Sequence, residues 1–513
     1  MSLKPATKYI FIAIFLEFYF AFLTLFAFGI RSLDNQLILP IFIAIVTTYW
    51  VGYQLGEKFP WERYDSIRIL FGIVFQFLLL LTMLLAGWLC LVIVSVFDRT
   101  LDTNDVLTAI LLLIIGTFIF GGIQTFVIGL WLGYKLNTIE KIGELTFVNN
   151  LQMEYTNYKE PKLFGRYITS SMIKPLLEKH TFENKILLGK SVQGNSISLY
   201  QKGNGRTKIL IWSQMHGNES TTTKALFDVL NYMTQNPSEL ENISMFFIPI
   251  LNPDGAEVYN RMNANEIDLN RDAYDLSQPE SQCLRKAYKL VQPDFCFNLH
   301  DQRTIFSAGK TQNPATVSFL APSYNGAREI NHTRKKAMEV IGVMNAMLQT
   351  KIPNQVGRFD DSFNLNCTGD MYTSLGTPTI LFESGHYQND YAREQTRKYI
   401  SLSILEALAY INQNEVTGKY YKPYFTIPEN DKLFFDILIR DDFYGDNNHI
   451  GILFKETLKN NQIHFEPYIA MIEDLSNHYG HQERKLSDFF TKPVSKKDIE
   501  KELNLRDFGF KIA

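Results

Sequence analysis

The first quarter of the chain is dominated by long apolar runs that short polar loops separate. The four runs cover about residues 9–30, 37–55, 69–97 and 106–134. Each reaches the ~20 apolar residues that an α-helix needs to cross the hydrocarbon core of a bilayer. The pattern therefore predicts an all-α, four-helix transmembrane bundle over residues 1–145, and with it an integral, multi-pass membrane protein in contact with membrane lipid.

The charges in the loops predict how this bundle is oriented. Loops on one side of the predicted membrane carry Lys4, Lys8, Lys58, Arg63, Arg68, Lys135 and Lys141, and those on the other side carry Arg31 and Arg99. Because cytoplasmic loops are enriched in Lys and Arg, both termini are predicted to be cytoplasmic. The domain that follows the bundle is then expected on the cytoplasmic side.

One acidic side chain, Glu17, lies inside the first apolar run. An ionisable group in such a run is expected to face the interior of the bundle, where it finds a polar partner on a neighbouring helix. A role in transport or in a proton relay is the alternative interpretation.

After residue 145 the pattern changes to short apolar runs that alternate with helical segments. The clearest strand-like runs are KILIWS, MFFIPIL and TILFE, and the clearest helical segments cover residues 222–234 and 279–291. This alternation predicts an α/β fold over residues 146–412, with helices on both faces of a sheet. Residues 413–513 change character again and predict a small α+β tail, so that the chain is expected to have three domains.

Composition excludes two classes of partner or scaffold. The net charge is −3, and no basic patch typical of nucleic-acid binding is present, so no nucleic-acid partner is expected. The four cysteines are widely spaced and form no C-x-x-C motif, which indicates neither a disulfide framework nor a cysteine zinc cluster.

The candidate chemistry begins directly after the strand-like run at residues 209–212. His216 and Glu219 follow it at H-x-x-E spacing, on a predicted strand-to-helix turn. An imidazole and a carboxylate are suitable ligands for zinc, which requires a third protein ligand and an open position for catalysis. The motif alone is weak evidence, because short patterns recur by chance.

Further motifs follow in a characteristic order. They are N-P-D-G at residues 252–255, D-L-N-R-D at residues 268–272, a strand-end histidine at His300 and F-E-S-G at residues 382–385. Together with H-x-x-E they resemble the zinc carboxypeptidase family of the M14 type, over about residues 160–412. The resemblance implies a mixed eight-stranded sheet that holds a metal ion at its strand ends.

The resemblance also implies the metal site. His216, Glu219 and His300 would bind one Zn²⁺ per chain, and two imidazoles with one carboxylate leave a fourth position open for water. Glu383, a lone acid at the end of the strand TILFE, would act as the general base.

Two arginines complete the implied site. Arg261 is expected to stabilise the oxyanion of the tetrahedral intermediate. Asn270 and Arg271 are expected to bind the terminal carboxylate of the substrate, for which a guanidinium offers a bidentate fork.

The predicted function is a membrane-anchored zinc metallocarboxypeptidase that acts on peptides. One alternative is a zinc amidohydrolase that deacylates N-acyl amino acids, and another is a catalytically inactive binding domain on a membrane bundle. The best-known family members carry a mobile tyrosine about twenty residues before the catalytic glutamate, where this sequence has Ser362 and Phe363. Tyr372 and Tyr387 are candidates to replace it, and the side-chain specificity stays open.

Overall fold

The computed structural model describes residues 5–27, 35–58, 70–83, 85, 124–136, 154–443 and 448–493. The chain divides into two compact units, residues 1–144 and residues 145–513. The three-domain division with boundaries at residues 145 and 412 stays a prediction.

The first unit is helical wherever it is described. Its helices are α1 (Pro5–Ala27), α2 (Asn35–Lys58), α3 (70–83) and α4 (124–136). Buried Ile10, Ile14, Leu79 and Leu132 belong to one apolar cluster. Inside the unit, the Glu17 carboxylate accepts hydrogen bonds from Gln76 Nε2 at 2.9 Å and from Thr125 Oγ1 at 2.5 Å, so this acid is partnered by side chains of α3 and α4.

The predicted multi-pass membrane localisation is wrong. Within the described residues, none of the helices combines the length and the apolar character needed to cross a bilayer. Helix α2 carries the polar pair Thr47 and Thr48 at its centre. The other residues of the third and fourth apolar runs lie outside the described residues. The predicted cytoplasmic placement depended on these spans and falls with them.

The second unit is built on a mixed eight-stranded sheet, as predicted. Its strands are β1 (Asn184–Lys190), β2 (Ser196–Lys202), β3 (Thr207–Trp212), β4 (Ile243–Ile248), β5 (Phe295–Asp301), β7 (Val317–Leu320), β8 (Val356–Arg358) and β9 (Thr379–Ser384). They lie in the order β1-β2-β4-β3-β5-β9-β7-β8. The central strands β4, β3, β5 and β9 are parallel, while β2 and β7 pair antiparallel with β4 and β9.

Helices cover both faces of this sheet. They are α5 (Tyr155–Tyr158), α6 (Ser170–Leu177), α7 (Thr221–Gln235), α8 (Pro253–Glu257), α9 (Pro279–Val291), α10 (His332–Gln349), α11 (Thr368–Ser374) and α12 (Glu394–Gln413). Strand β3 shows the two faces: Ile209 and Ile211 join a core cluster with α7, α10 and α12, whereas Leu210 and Trp212 join one with α9. The alternation follows from the two-residue period of a strand.

The described part of the tail consists mainly of strands, with two short 3₁₀ helices at Lys422–Thr426 and Leu486–Asp488. Strands β11 (Phe434–Arg440), β12 (Asn448–Lys459), β13 (Gln462–Asp474) and β14 (Tyr479–Lys485) form a four-stranded sheet, and β6 (Ser307–Ala308) pairs with β10 (Asn430–Asp431). The α+β prediction for the tail differs from this, since residues 414–443 and 448–493 contain no α-helix. Strand β13 pairs antiparallel with β12. Because side chains alternate between the two faces of a strand, this register decides which side chains of β13 face the apolar cluster.

Candidate active site

The sequence-predicted ligands lie at the carboxyl ends of adjacent parallel strands. Strand β3 ends at Trp212, and α7 begins at Thr221. His216 and Glu219 lie in the turn between them. His300 lies near the end of β5 and is the register partner of Glu383 on β9. Since β3, β5 and β9 are parallel neighbours, their carboxyl ends meet at one edge, where open α/β sheets place their ligand sites.

Three donor groups converge at this edge. The two oxygens of Glu219 lie 2.8 Å from His216 Nδ1 and 2.7 Å from His300 Nδ1. The two imidazole nitrogens are 3.1 Å apart, and one ligand atom from each of the three residues lies within 4.8 Å of the others. All three side chains are buried. Two imidazoles and a carboxylate in this arrangement fit a zinc ion that has three protein ligands.

Asp268 orients the first of these histidines. Its Oδ1 lies 2.8 Å from His216 Nε2, so the other ring nitrogen faces Glu219. Burial alone would raise the pKa of Asp268, but the hydrogen bond and charge of His216 outweigh it and lower the pKa. A carboxylate on the outer nitrogen of a ligating histidine fixes the orientation of the ring. The sequence contained this residue in D-L-N-R-D, yet nothing in the motif assigned it to His216.

Removal of this support is expected to weaken zinc binding. Asp268→Ala should lower the zinc affinity about 10- to 100-fold, because the His216 ring loses the group that orients it. Competition with a chromogenic chelator measures the affinity. Asp275→Ala, which changes an exposed carboxylate of the same segment, is the control. An Asp268→Ala affinity equal to that of the control would refute this role.

Glu383 lies at the same edge of the sheet, next to His300 of the neighbouring strand. Burial raises its pKa well above that of an ordinary glutamate, and repulsion from Glu219 and Asp301 adds to the shift. Its Oε2 is buried without a hydrogen-bond partner among the described residues. A carboxylate in this environment takes up a proton more readily than an exposed one. The neighbouring Asp301 carboxylate accepts a hydrogen bond from Thr221 N at 2.9 Å.

The remaining predicted residues line one cavity with the metal-ligand candidates. This cavity has a volume of about 640 Å³ and its lining includes Arg261, Asn270 and Arg271. Arg261 donates from Nη1 to Glu219 at 2.9 Å, and its Nε and Nη2 donate to Asp268.

Asn270 and Arg271 are placed by a 3₁₀ turn, Leu269–Arg271. The Asn270 side-chain oxygen accepts a hydrogen bond from Thr368 N at 2.9 Å, which fixes the amide in the cavity wall. Arg271 donates from Nη1 to the Asn270 carbonyl at 2.7 Å, and its side chain is exposed toward solvent. The two residues therefore present an amide and a guanidinium next to each other.

Neither Tyr372 nor Tyr387, the two sequence candidates for the missing tyrosine, lines the cavity. Tyr372 is buried in the core, with its ring stacked 4.3 Å from that of Tyr288, and Tyr387 packs against Tyr399. Tyr259 lines the cavity instead, with its hydroxyl donating to the Glu456 carboxylate. Sequence reasoning missed Tyr259, because it occurs in no motif.

Several further charged residues of the cavity were also missed, and three of them contact other parts of the lining. These three are Arg166, Arg393 and Glu456. Arg393 donates to the carbonyl oxygens of Ser384 and Gln302, both at 2.5 Å, and so connects the last residue of β9 with the residue that follows β5. No local sequence signal identifies these residues, since each is brought to the cavity by long-range folding.

Comparisons with known proteins agree with this site. The family model described as zinc carboxypeptidase matches residues 171–314, which include His216, Glu219 and His300. Carboxypeptidase 2 of Trichophyton tonsurans is 26% identical over 132 residues, which are 24% of this chain and 24% of that protein. Carboxypeptidase SOL1 of Arabidopsis thaliana is 32% identical over 87 residues, 14% of this chain and 18% of that protein.

A solved metallo-carboxypeptidase from Burkholderia cenocepacia aligns with a TM-score of 0.39 at 17% identity, over 48% of this chain and 68% of that chain. The chain spans about a quarter of the length of the first curated relatives that it matches. Residues 171–314 are thus similar in sequence to zinc carboxypeptidases, and the curated relatives that they match are named carboxypeptidases.

Proposed function

We propose that the protein is a zinc-dependent metallocarboxypeptidase, which hydrolyses the C-terminal peptide bond of its substrate. The convergence of His216, Glu219 and His300 beside the isolated acid Glu383 is the main support. A binding domain without activity has no need for a buried, unpartnered carboxylate next to a metal site, because such a group destabilises the fold.

The three converging residues hold the metal. When bound, zinc supplies a Lewis acid that polarises the scissile carbonyl and lowers the pKa of water. Glu219 bridges both histidines, so its negative charge keeps the ligand set together. Burial alone would raise the pKa of Glu219, but His216 and His300 outweigh burial and hold its pKa well below that of an ordinary glutamate.

Glu383 transfers the proton. It takes a proton from the attacking water and passes it to the leaving amine, as a general base that becomes a general acid. Its raised pKa suits both steps, since a strongly acidic carboxyl would not retain the proton long enough to deliver it.

Arg261 stabilises the developing oxyanion. Its guanidinium lies against Glu219, next to the metal site, and 41% of its side chain is exposed, which leaves room for a substrate oxygen. A fixed cationic donor at this position lowers the energy of the transition state more than that of the ground state.

Asn270 and Arg271 bind the terminal carboxylate, which distinguishes a carboxypeptidase from an endopeptidase. Arg271→Ala should raise KM about 10- to 100-fold with a smaller change in kcat, because it removes a charged hydrogen bond made in both ground and transition states. Steady-state kinetics on one peptide measure both constants. Arg206→Ala, an exposed arginine in the loop before β3, is the control. A selective fall in kcat would contradict this role.

A substrate screen tests the proposed function against its alternatives. The zinc-loaded full chain is incubated with peptides and with N-acyl amino acids, and the products are identified by mass spectrometry. Loss of single residues from peptide C-termini supports the carboxypeptidase. Cleavage confined to N-acyl amino acids would assign the amidohydrolase reaction instead, and binding without turnover would indicate an inactive binding domain.

A further inference from the structure

A strand of the C-terminal sheet contributes directly to the wall of the catalytic cavity. Phe454 and Glu456 of β12 line the same cavity as His216 and Glu383. Because they are two residues apart on one strand, both side chains point to the same face of the sheet. The sheet formed by β11–β14, which lies outside the family-matched segment, is therefore part of the site.

Glu456 is held in the wall by two residues of the α/β part. It accepts a hydrogen bond from the Tyr259 hydroxyl and pairs with Arg166 Nη1 at 3.0 Å. Burial alone would raise the pKa of Glu456, but Arg166 and Arg393 outweigh it and lower the pKa, so the carboxylate is charged. A buried, hydrogen-bonded ion pair is costly to break by removing one partner, so this part of the wall is fixed.

Aromatic contacts anchor the sheet beside this ion pair. Tyr391 lies on the segment that follows β9. The centroid of its ring is 5.4 Å from that of Phe454 and 5.4 Å from that of Phe465 on β13. His386, on the same segment, packs against His481 of β14, with the two ring centroids 4.1 Å apart. The sheet is thus attached to the segment that directly follows Glu383.

The wall and the proposed carboxylate-binding residues are held by different parts of the chain, although they line the same cavity. Asn270 contacts Thr368, whereas Glu456 contacts Arg166 and Tyr259. A substrate whose terminal carboxylate lies on Arg271 and whose scissile bond lies at the metal must send its upstream residues away from Arg271. Glu456 and Phe454 belong to the part of the lining that does not contact Asn270.

We propose that the C-terminal sheet closes the acyl side of the cavity and restricts the substrates to short peptides, of two or three residues. This inference rests on the proposed carboxypeptidase function. The cavity volume of about 640 Å³ lies within the ~300–1,000 Å³ of sites that enclose small molecules, and so fits a short peptide. Longer peptides would collide with the ion pair of Arg166 and Glu456 in this wall. Such a steric clash discriminates against the longer substrates.

A peptide length series tests this inference. The zinc-loaded full chain is given peptides of two to eight residues that share the same C-terminal dipeptide and a free carboxylate, and kcat/KM is measured for each. We expect kcat/KM to fall at least ~10-fold beyond three residues, because each added residue must displace the wall.

A matched pair of double variants tests whether the wall is responsible. Glu456→Ala with Arg166→Ala removes both partners, which avoids leaving one buried charge alone. Glu466→Ala with Lys459→Ala removes an exposed ion pair between β12 and β13 as the control. The first pair should reduce the preference for short peptides to below ~3-fold, since the steric barrier is gone, and the control pair should keep it.

The outcomes separate this inference from the proposed function. Equal kcat/KM at every length in the wild type would overturn the inference and leave the carboxypeptidase standing. A length preference that survives in a folded Glu456→Ala, Arg166→Ala variant would also overturn it. If no peptide of any length is cleaved, the proposed function fails, and the inference fails with it. Should the double variant not fold, the wild-type length series still decides.

Discussion

Glu383→Gln is expected to lower kcat about 10³- to 10⁴-fold, the upper end of the range for general acid–base groups. Glutamine keeps the size and polarity of the side chain, but it takes no proton from water at neutral pH. The substitution leaves the three metal-ligand candidates unchanged, so zinc content and substrate affinity should stay at their wild-type values. Single-turnover kinetics together with elemental analysis measure all three quantities.

The pH dependence supplies an independent check of the same residue. Glu383 acts as a base only when it is ionised, so activity should be lost as the pH falls through its pKa. Because burial raises that pKa, the acid limb of the kcat/KM profile should lie above the ~4.3 of an ordinary glutamate. Glu429→Gln, at an exposed ion pair with Arg358, should keep the wild-type profile. A Glu383→Gln enzyme with kcat within ~10-fold of the wild type would exclude the role as general base.

His216→Ala is expected to reduce zinc from one ion per chain to nearly none after dialysis. The reason is that three protein ligands hold a catalytic zinc, and the loss of one leaves a carboxylate and a single imidazole. Zinc should also raise the Tm of the wild type and not that of the variant, since a ligand that binds only the folded state stabilises it. His332→Ala, which removes an exposed histidine at the start of α10, should behave as the wild type. Equal zinc content in both variants would refute the assignment.

The candidate catalytic residues could be predicted from the sequence because each lies at the end of a recognisable strand or just after it. His216, His300 and Glu383 come at or just after apolar runs that become β3, β5 and β9, and parallel strands bring their carboxyl ends together. The eight-stranded sheet came from the family resemblance, and it is confirmed. Local motifs thus predicted both the fold of this part and the residues at its edge.

Three other residues that line the cavity could not be predicted from local motifs. Arg166 precedes the motifs, Tyr259 lies between them, and Glu456 lies in the tail, and only folding brings the three together. The pairing of Asp268 with His216 is another long-range contact that no spacing rule predicts. The residues that shape the cavity were therefore less predictable than those of the candidate metal site.

In the first quarter of the chain, the length of the apolar runs led to a wrong prediction of membrane spans. Long apolar runs predicted four spans, but a run measures composition and does not define where a helix begins and ends. Among the described residues, no helix has both the length and the apolar character of a membrane span. In α1, the acid Glu17 is met by Gln76 and Thr125, so an apolar stretch also contains a polar cluster of the folded unit.

The most direct test of the central claim compares one peptide with its C-terminally amidated form. The zinc-loaded wild type should release the last residue of the free peptide and cleave the amidated one at least ~10-fold more slowly, because Asn270 and Arg271 lose the charged group that they bind. Mass spectrometry of the two digests over the same time course gives both rates. Equal cleavage of the free and amidated peptides would contradict the account, since the enzyme would then not recognise a terminal carboxylate.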